Sequence, residues 1–175
     1  MKEQFLNRMK EYLGNEYEAY EHSLQQPRFR GLRVNETRCS IQRFLELAPW
    51  QCEPSPICPQ SFYIKEEHVG NHPLHLSGTF YMQEPSASSA VEVLDVKEGE
   101  WVLDLCAAPG GKSTQIAAKL HHSGFLLSNE IDKKRVLALL SNMERLGFSE
   151  YAITNETPQK LCRKLQGCFD KVLVD

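Results

Sequence analysis

Residues 106–112 read Cys-Ala-Ala-Pro-Gly-Gly-Lys, a run almost stripped of bulk and placed between an apolar segment and a helical pattern. Gly110 and Gly111 have no side chain, so a ligand can lie directly on their backbone and φ can be positive. Pro109 stiffens the approach, and Ala107 and Ala108 leave space. The helix that follows offers free N–H groups and a partial positive charge at its start, a seat for a carboxylate or a phosphate. Cys106 and Lys112 frame the run with a thiol and an ammonium group.

Three ligands use turns of this kind. A triphosphate loop needs G-x-x-x-x-G-K-[ST]; Gly111, Lys112 and Ser113 supply its end, but Cys106 occupies the place of its first glycine. A dinucleotide loop needs G-x-G-x-x-G, and only the adjacent pair Gly110 and Gly111 is present. The acids favour the third ligand, S-adenosylmethionine. Glu130, Glu156 and Asp175 each close an apolar run, which predicts three carboxylates on the rim that carries the glycine turn. An acid after the second strand can accept both ribose hydroxyls, and one after the third can accept an adenine N–H. A cationic sulfonium tolerates such a rim, whereas a triphosphate is repelled by it. Taken singly, each acid is also compatible with a merely solvated strand end.

The elements that must hold these residues follow from hydrophobic period. Strands are expected at residues 101–105, 125–129, 151–155 and 169–174, with helices at 113–120, 132–146 and 158–165. Alternation of that kind is the βαβ pattern of a mainly parallel sheet with helices on both faces. A doubly wound sheet normally has five or more strands, so the reading is of a sheet cut after its fourth. Upstream, Phe5, Met9 and Leu13 share a helical face that Gly14 can end. A second helix is expected from a cap at Asn15, with Tyr17, Tyr20 and Leu24 inward and Pro27 as its stop. Residues 31–35 read as a short strand, and 40–48 as a helix burying Ile41, Phe44, Leu45 and Ala48. Four prolines make residues 49–59 loop or edge structure, and Pro85 suits the first position of a further helix. A domain boundary is expected near residues 76–81, separating a small α/β amino-terminal domain, 1–80, from a Rossmann-like domain, 81–175.

In these residues the chain resembles the Sun family of RNA cytosine-5 methyltransferases, especially bacterial ribosomal RNA enzymes of the RsmF type. The similarity is carried by LDLCAAPGGKSTQIAAKL (103–120), NEIDKKRVLALLSNMERLG (129–147), TNE (154–156) and FDKVLVD (169–175). FRGLRVN (29–35) and HPLHLSGTFYMQEPSA (72–87) extend it over nearly the whole chain. The resemblance implies that Cys106 to Lys112 wrap the methionine part of S-adenosylmethionine and that Glu130 binds ribose. It also implies that Glu156, where the family usually has aspartate, and Asp175 complete the pocket, with Arg135 able to orient the cofactor. The family adds a cysteine thiolate to cytosine C6 so that C5 can attack the methyl group. Its two functional cysteines lie beyond the strand that Asp175 closes. The expectation is therefore no catalytic nucleophile among these 175 residues, no methyl transfer by them alone, and Cys106 as a cofactor-loop residue. The alternative is a non-catalytic module that binds RNA and cofactor.

Composition sets the outer bounds. With 41% hydrophobic and 25% charged residues the chain can build a core, and six cysteines without a CxxC pair read as reduced thiols of a cytoplasmic protein. No apolar run approaches the ~20 residues of a membrane span. The net charge of −3 does not by itself announce a nucleic-acid binder, so the case for ribosomal RNA as partner needs local patches. Arg28, Arg30, Arg33, Arg38 and Arg43, set against Glu36 alone and beside Phe29, form the candidate patch. Cys52, Cys58, His68, His72 and His75 fit no compact zinc spacing, so no metal is expected.

Overall fold

The computed structural model describes residues 3–26 and 30–175. Two helices open the chain, α1 (Glu3–Leu13) and α2 (Tyr17–Ser23), joined by a 3-10 turn at Gly14–Glu16. Leu6, Met9 and Leu13 give α1 its half-buried stripe, while Phe5, expected there, is exposed. Asn15 does not cap α2; the turn runs directly into the helix, whose N-cap position is Glu16 with no side-chain bond. Of its expected stripe Tyr17 is buried, Tyr20 half-buried and Leu24 exposed. Pro27, Arg28 and Phe29 lie outside the described residues.

The first sheet has the order β2-β3-β1-β4, wholly antiparallel, formed by β1 (Arg30–Val34), β2 (Glu53–Pro54), β3 (Ser61–Ile64) and β4 (Phe80–Met82). Pro54 sits in edge strand β2, where a missing N–H costs no ladder bond. The helix α3 (Ile41–Leu47) starts at Ser40, whose Oγ accepts from Arg43 N at 3.3 Å. It buries Phe44 but leaves Leu45 exposed, against expectation. Phe44 meets Phe80 edge-on at 5.6 Å over a core of Leu32, Val34, Phe62 and Ile64. A one-turn helix, α4 (Pro73–Leu76), precedes β4. Strands β3 and β4 are additions to the sequence reading.

After a 3-10 turn at Pro85–Ser88 and helix α5 (Ser89–Leu94), the chain builds a second sheet with the order β7-β6-β5-β8, all parallel. Its strands are β5 (Trp101–Asp104), β6 (Phe125–Asn129), β7 (Tyr151–Thr154) and β8 (Lys171–Leu173), and its helices α6 (Gly111–Lys119), α7 (Lys133–Leu146) and α8 (Pro158–Lys164). This is an α/β fold with a parallel Rossmann-like sheet, as the alternating pattern requires. Helix α7 shows how directly local chemistry sets an element. Asp132 caps it by accepting from Lys134 N at 2.7 Å and Arg135 N at 3.3 Å. Leu139, Met143 and Leu146 form its buried stripe, and Gly147 ends it at φ 80°. These side chains join Val102, Ile116, Leu120 and Leu126 in one core.

Buried polar bonds lock the two sheets together. Asn35 Nδ2 donates to Gly78 O at 2.9 Å and Leu146 O at 3.0 Å, and Arg145 donates to His75 O and Phe80 O at 2.8 and 3.2 Å. Ser61 and Ser88 share a hydroxyl bond of 3.0 Å.

Candidate cofactor site

Strand β5 delivers the chain to residues 105–110, which cross the carboxyl edge of the second sheet before entering α6. Asp104, at the end of β5, is buried and accepts from Ser113 Oγ at 2.6 Å and from the Cys106 backbone. Burial pushes its carboxyl above the usual range, and the Ser113 bond partly offsets this. Ala107 N donates to Asn129 O at 2.8 Å, and Asn142 Nδ2 donates to Pro109 O at 2.9 Å. The loop is thus held from β5, β6 and α7 at once. Gly110 has φ 112°, and a β-carbon there would press on Leu139 Cδ1 at 3.1 Å.

Above the loop opens a cleft of about 810 Å³, its solvent-filled mouth included. Cys106, Ala107, Ala108, Pro109, Gly111 and Lys112 line one side. Tyr81, Met82 and Gln83, from β4 and the residue after it, line the other, and Arg135 and Asp175 reach in at the ends. Lys112 Nζ pairs with Asp175 Oδ2 at 2.5 Å.

The three strand-end acids do not all behave alike. Asp175 lines the cleft. Glu130 is buried; its Oε1 accepts from Asp132 N at 2.9 Å. Its Oε2 is buried too and lies 3.2 Å from Arg135 Nη1, yet makes no hydrogen bond of acceptable geometry. Arg135 also donates to Ala108 O, so it stands between Glu130 and the cleft. Glu156 departs from the expected rim: its carboxylate pairs with Lys160 one helical turn on and is not part of the cleft wall. Only its backbone joins the site's scaffold, through Asn129, which donates to Glu156 O at 3.0 Å and accepts from Glu156 N at 3.1 Å.

The donor set suits an adenosyl-sulfonium amino acid. Glu130 Oε2, buried without a hydrogen bond and paired only with Arg135, answers a ribose hydroxyl, and the side-chain-free backbone at Gly111 answers close approach, whereas Gly110, expected to do the same, faces Leu139 of α7 and does not line the cleft. Sequence reasoning missed Asp104, Asn129 and Tyr81. Asp104 was visible as an acid inside the apolar strand that leads into the glycine turn.

The arginines are dispersed. Arg33 is buried and donates to Gln83 Oε1, Gly111 O and Thr114 Oγ1 at 3.1, 3.0 and 2.7 Å. Burial lowers its pKa to about 10, so it stays charged at neutral pH. Arg38 donates to Leu146 O, Arg30 pairs with Glu67 and Arg43 with Glu46. Arg28 and Phe29 lie outside the described residues. His72 packs edge-on against Trp50 at 4.9 Å, His75 packs on Phe80, and Cys58 Sγ lies 3.3 Å from Gln60 Oε1. Among the described residues no His, Cys, Asp and Glu side chains group as metal ligands, and no helix is long and apolar enough to cross a membrane.

Comparison with known proteins places this geometry. Residues 1–85 match the family model for the N-terminal domain of 16S rRNA methyltransferase RsmF, and residues 91–175 match that for 16S rRNA methyltransferase RsmB/F. The chain belongs to the RsmB/F family of 16S rRNA methyltransferases. It is 37% identical over 185 residues to the ribosomal RNA small subunit methyltransferase F of Enterobacter sp. (strain 638), covering 99% of this chain and 38% of that protein. A methyltransferase homolog from Pyrococcus horikoshii superimposes with TM-score 0.85 at 27% identity, over 100% of this chain and 59% of the other. NSun6 from Pyrococcus horikoshii, solved with SFG, shares the fold, with TM-score 0.86 at 18% identity over 99% and 70% of the two chains. The chain thus spans under two fifths of the length of that Enterobacter relative.

Proposed function

We propose that the chain binds S-adenosylmethionine in the cleft above residues 106–112 and forms the cofactor-holding part of an enzyme that methylates C5 of cytosine in ribosomal RNA. The observation that carries this reading is Glu130 Oε2, buried without a hydrogen bond and held only by its ion pair with Arg135, beside a glycine turn at a parallel-sheet edge. Family membership and the SFG bound to NSun6, an analogue of S-adenosylmethionine, support it.

In this reading the ribose hydroxyls reach Glu130 Oε2 and displace Arg135 toward the mouth of the cleft. The backbone of Pro109 to Lys112 takes the amino-acid end, and the N–H groups at the start of α6 face its carboxylate. Glu156 serves the adenine side once its pairing with Lys160 opens. Asp175 completes the floor while Lys112 neutralises it. Bound there, the cofactor supplies an electrophilic methyl group. Cys106 remains a loop residue, and the nucleophilic thiol is expected in sequence following Asp175. Residues 1–80, whose sheet runs on through β4 to Met82, act as a small domain that guides RNA, and residues 81–175 supply the cofactor domain; residues 1–175 alone transfer no methyl group.

Titration calorimetry of residues 1–175 with S-adenosylmethionine and with ATP tests the cofactor. The proposal requires S-adenosylmethionine to bind and Glu130→Ala to weaken it by about tenfold or more. Tighter binding of ATP, or indifference to the Glu130 change, would overturn it.

A further inference from the structure

The wall of the cleft opposite the glycine turn comes from the amino-terminal sheet, and it holds an amide whose orientation is fixed. Arg33, on central strand β1, directs its Nε to Gln83 Oε1 at 3.1 Å. A guanidinium only donates, so the amide must turn its oxygen to Arg33 and its NH2 away. The NH2 faces the turn: a β-carbon built on Gly111 would lie 3.3 Å from Gln83 Nε2. Among the described residues Nε2 has no hydrogen-bond partner, although Gln83 lines the cleft. Its backbone is pinned as well, with Gln83 N donating to Gly31 O at 3.1 Å and Gly31 tightly covered by Pro85. Arg33 is pinned in turn by Thr114 Oγ1 and Gly111 O and by the ring of Tyr81, 5.9 Å from its Cζ.

We propose that Gln83 is a cofactor-binding residue, donating through Nε2 to the carboxylate of the amino-acid end, and that Arg33 is the positioning residue that aims it. This rests on the cofactor reading above and deepens it. The cleft then has two chemical sides. The free N–H groups at the start of α6 and Gln83 Nε2 are donors beside Gly111, whereas Glu130 is an acceptor by Arg135. A ligand with a carboxylate at one end and a ribose diol at the other fits in one direction only. The amino-terminal sheet would therefore help to choose the ligand as well as support the loop.

The test compares S-adenosylhomocysteine with 5′-deoxy-5′-methylthioadenosine, which keeps the adenosyl group but lacks the carboxylate. Calorimetry and thermal melts are run on residues 1–175 as wild type, Gln83→Glu and Arg33→Met. Gln83→Glu retains an acceptor for Arg33 and so retains stability, but it removes the donor and faces the ligand with negative charge. It should weaken S-adenosylhomocysteine by about tenfold or more, with methylthioadenosine changed less than about twofold and Tm unchanged. Arg33→Met should narrow the preference between the two ligands in the same direction. Unchanged S-adenosylhomocysteine affinity in Gln83→Glu, or equal loss of both ligands alongside a lower Tm, would overturn the proposal. A wild-type chain that binds neither ligand would instead remove the cofactor reading and this inference with it.

Discussion

Gly110 and Gly111 adjoin in sequence but carry different loads. Gly110 needs φ 112° and a β-carbon there would press on Leu139, whereas Gly111 is helical and its nearest neighbour is the amide of Gln83 at 3.3 Å. Gly110→Ala should therefore destabilise the fold by about 1–3 kcal/mol in urea denaturation, and Gly111→Ala by much less. Gly111→Ala should nonetheless reduce cofactor affinity, because its methyl group intrudes between Gln83 and the turn. His75 carries a prediction of a different kind. Burial and the nearby Arg145 guanidinium push its pKa below the ordinary value. The unfolded chain then takes up the proton first as pH falls, so stability drops as pH falls through and below the ordinary histidine range near about 6.5. Replacing His75 by Gln should flatten the dependence of Tm on pH across that window. An unchanged slope would mean that other groups set it.

At the scale of elements, Asn35 is the hinge pin between the sheets, because one amide satisfies two carbonyls from different parts of the chain. Asn35→Ala leaves both without it and should cost about 2–4 kcal/mol in denaturant melts. The second sheet was legible in sequence since its strands are short, mainly apolar runs separated by helical patterns; Asp132 and Gly147 mark the ends of α7 unaided, whereas α6 and α8 start without a side-chain cap. The first sheet was less legible. Strand β4 is only three residues long, and β3 follows a proline-rich edge, so neither offers enough alternation to show a period. At the site, the glycine turn and its strand-end acids could be placed because topology brings strand tips to one rim. What could not be read was side-chain direction. Glu156 turns to Lys160 because an (i, i+4) partner is nearer than the cleft. Arg33 looked like part of a basic patch because its partners Gly111 and Thr114 lie 78 and 81 residues away.

Across the whole molecule, the polar seam joining the sheets at Arg33, Asn35, Ser61 and Arg145 makes separate unfolding costly, since opening it strands several buried groups. The two tryptophans report on the two sides: Trp50 packs on Phe80 in the first core, and Trp101 on Phe125 in the second sheet. Single-tryptophan variants, Trp50→Phe and Trp101→Phe, should show coincident urea midpoints, and well-separated midpoints would show that the seam does not couple the sheets. The same seam brings β4 against the glycine turn, so the cleft exists only when both sheets are in place. The most direct measurement of the central claim is a crystal structure of residues 1–175 soaked with S-adenosylhomocysteine. The account predicts the ribose on Glu130, with Arg135 displaced, and the amino-acid end over Gly110 to Lys112. A ligand bound elsewhere, or a cleft with no ligand under saturating conditions, would contradict it.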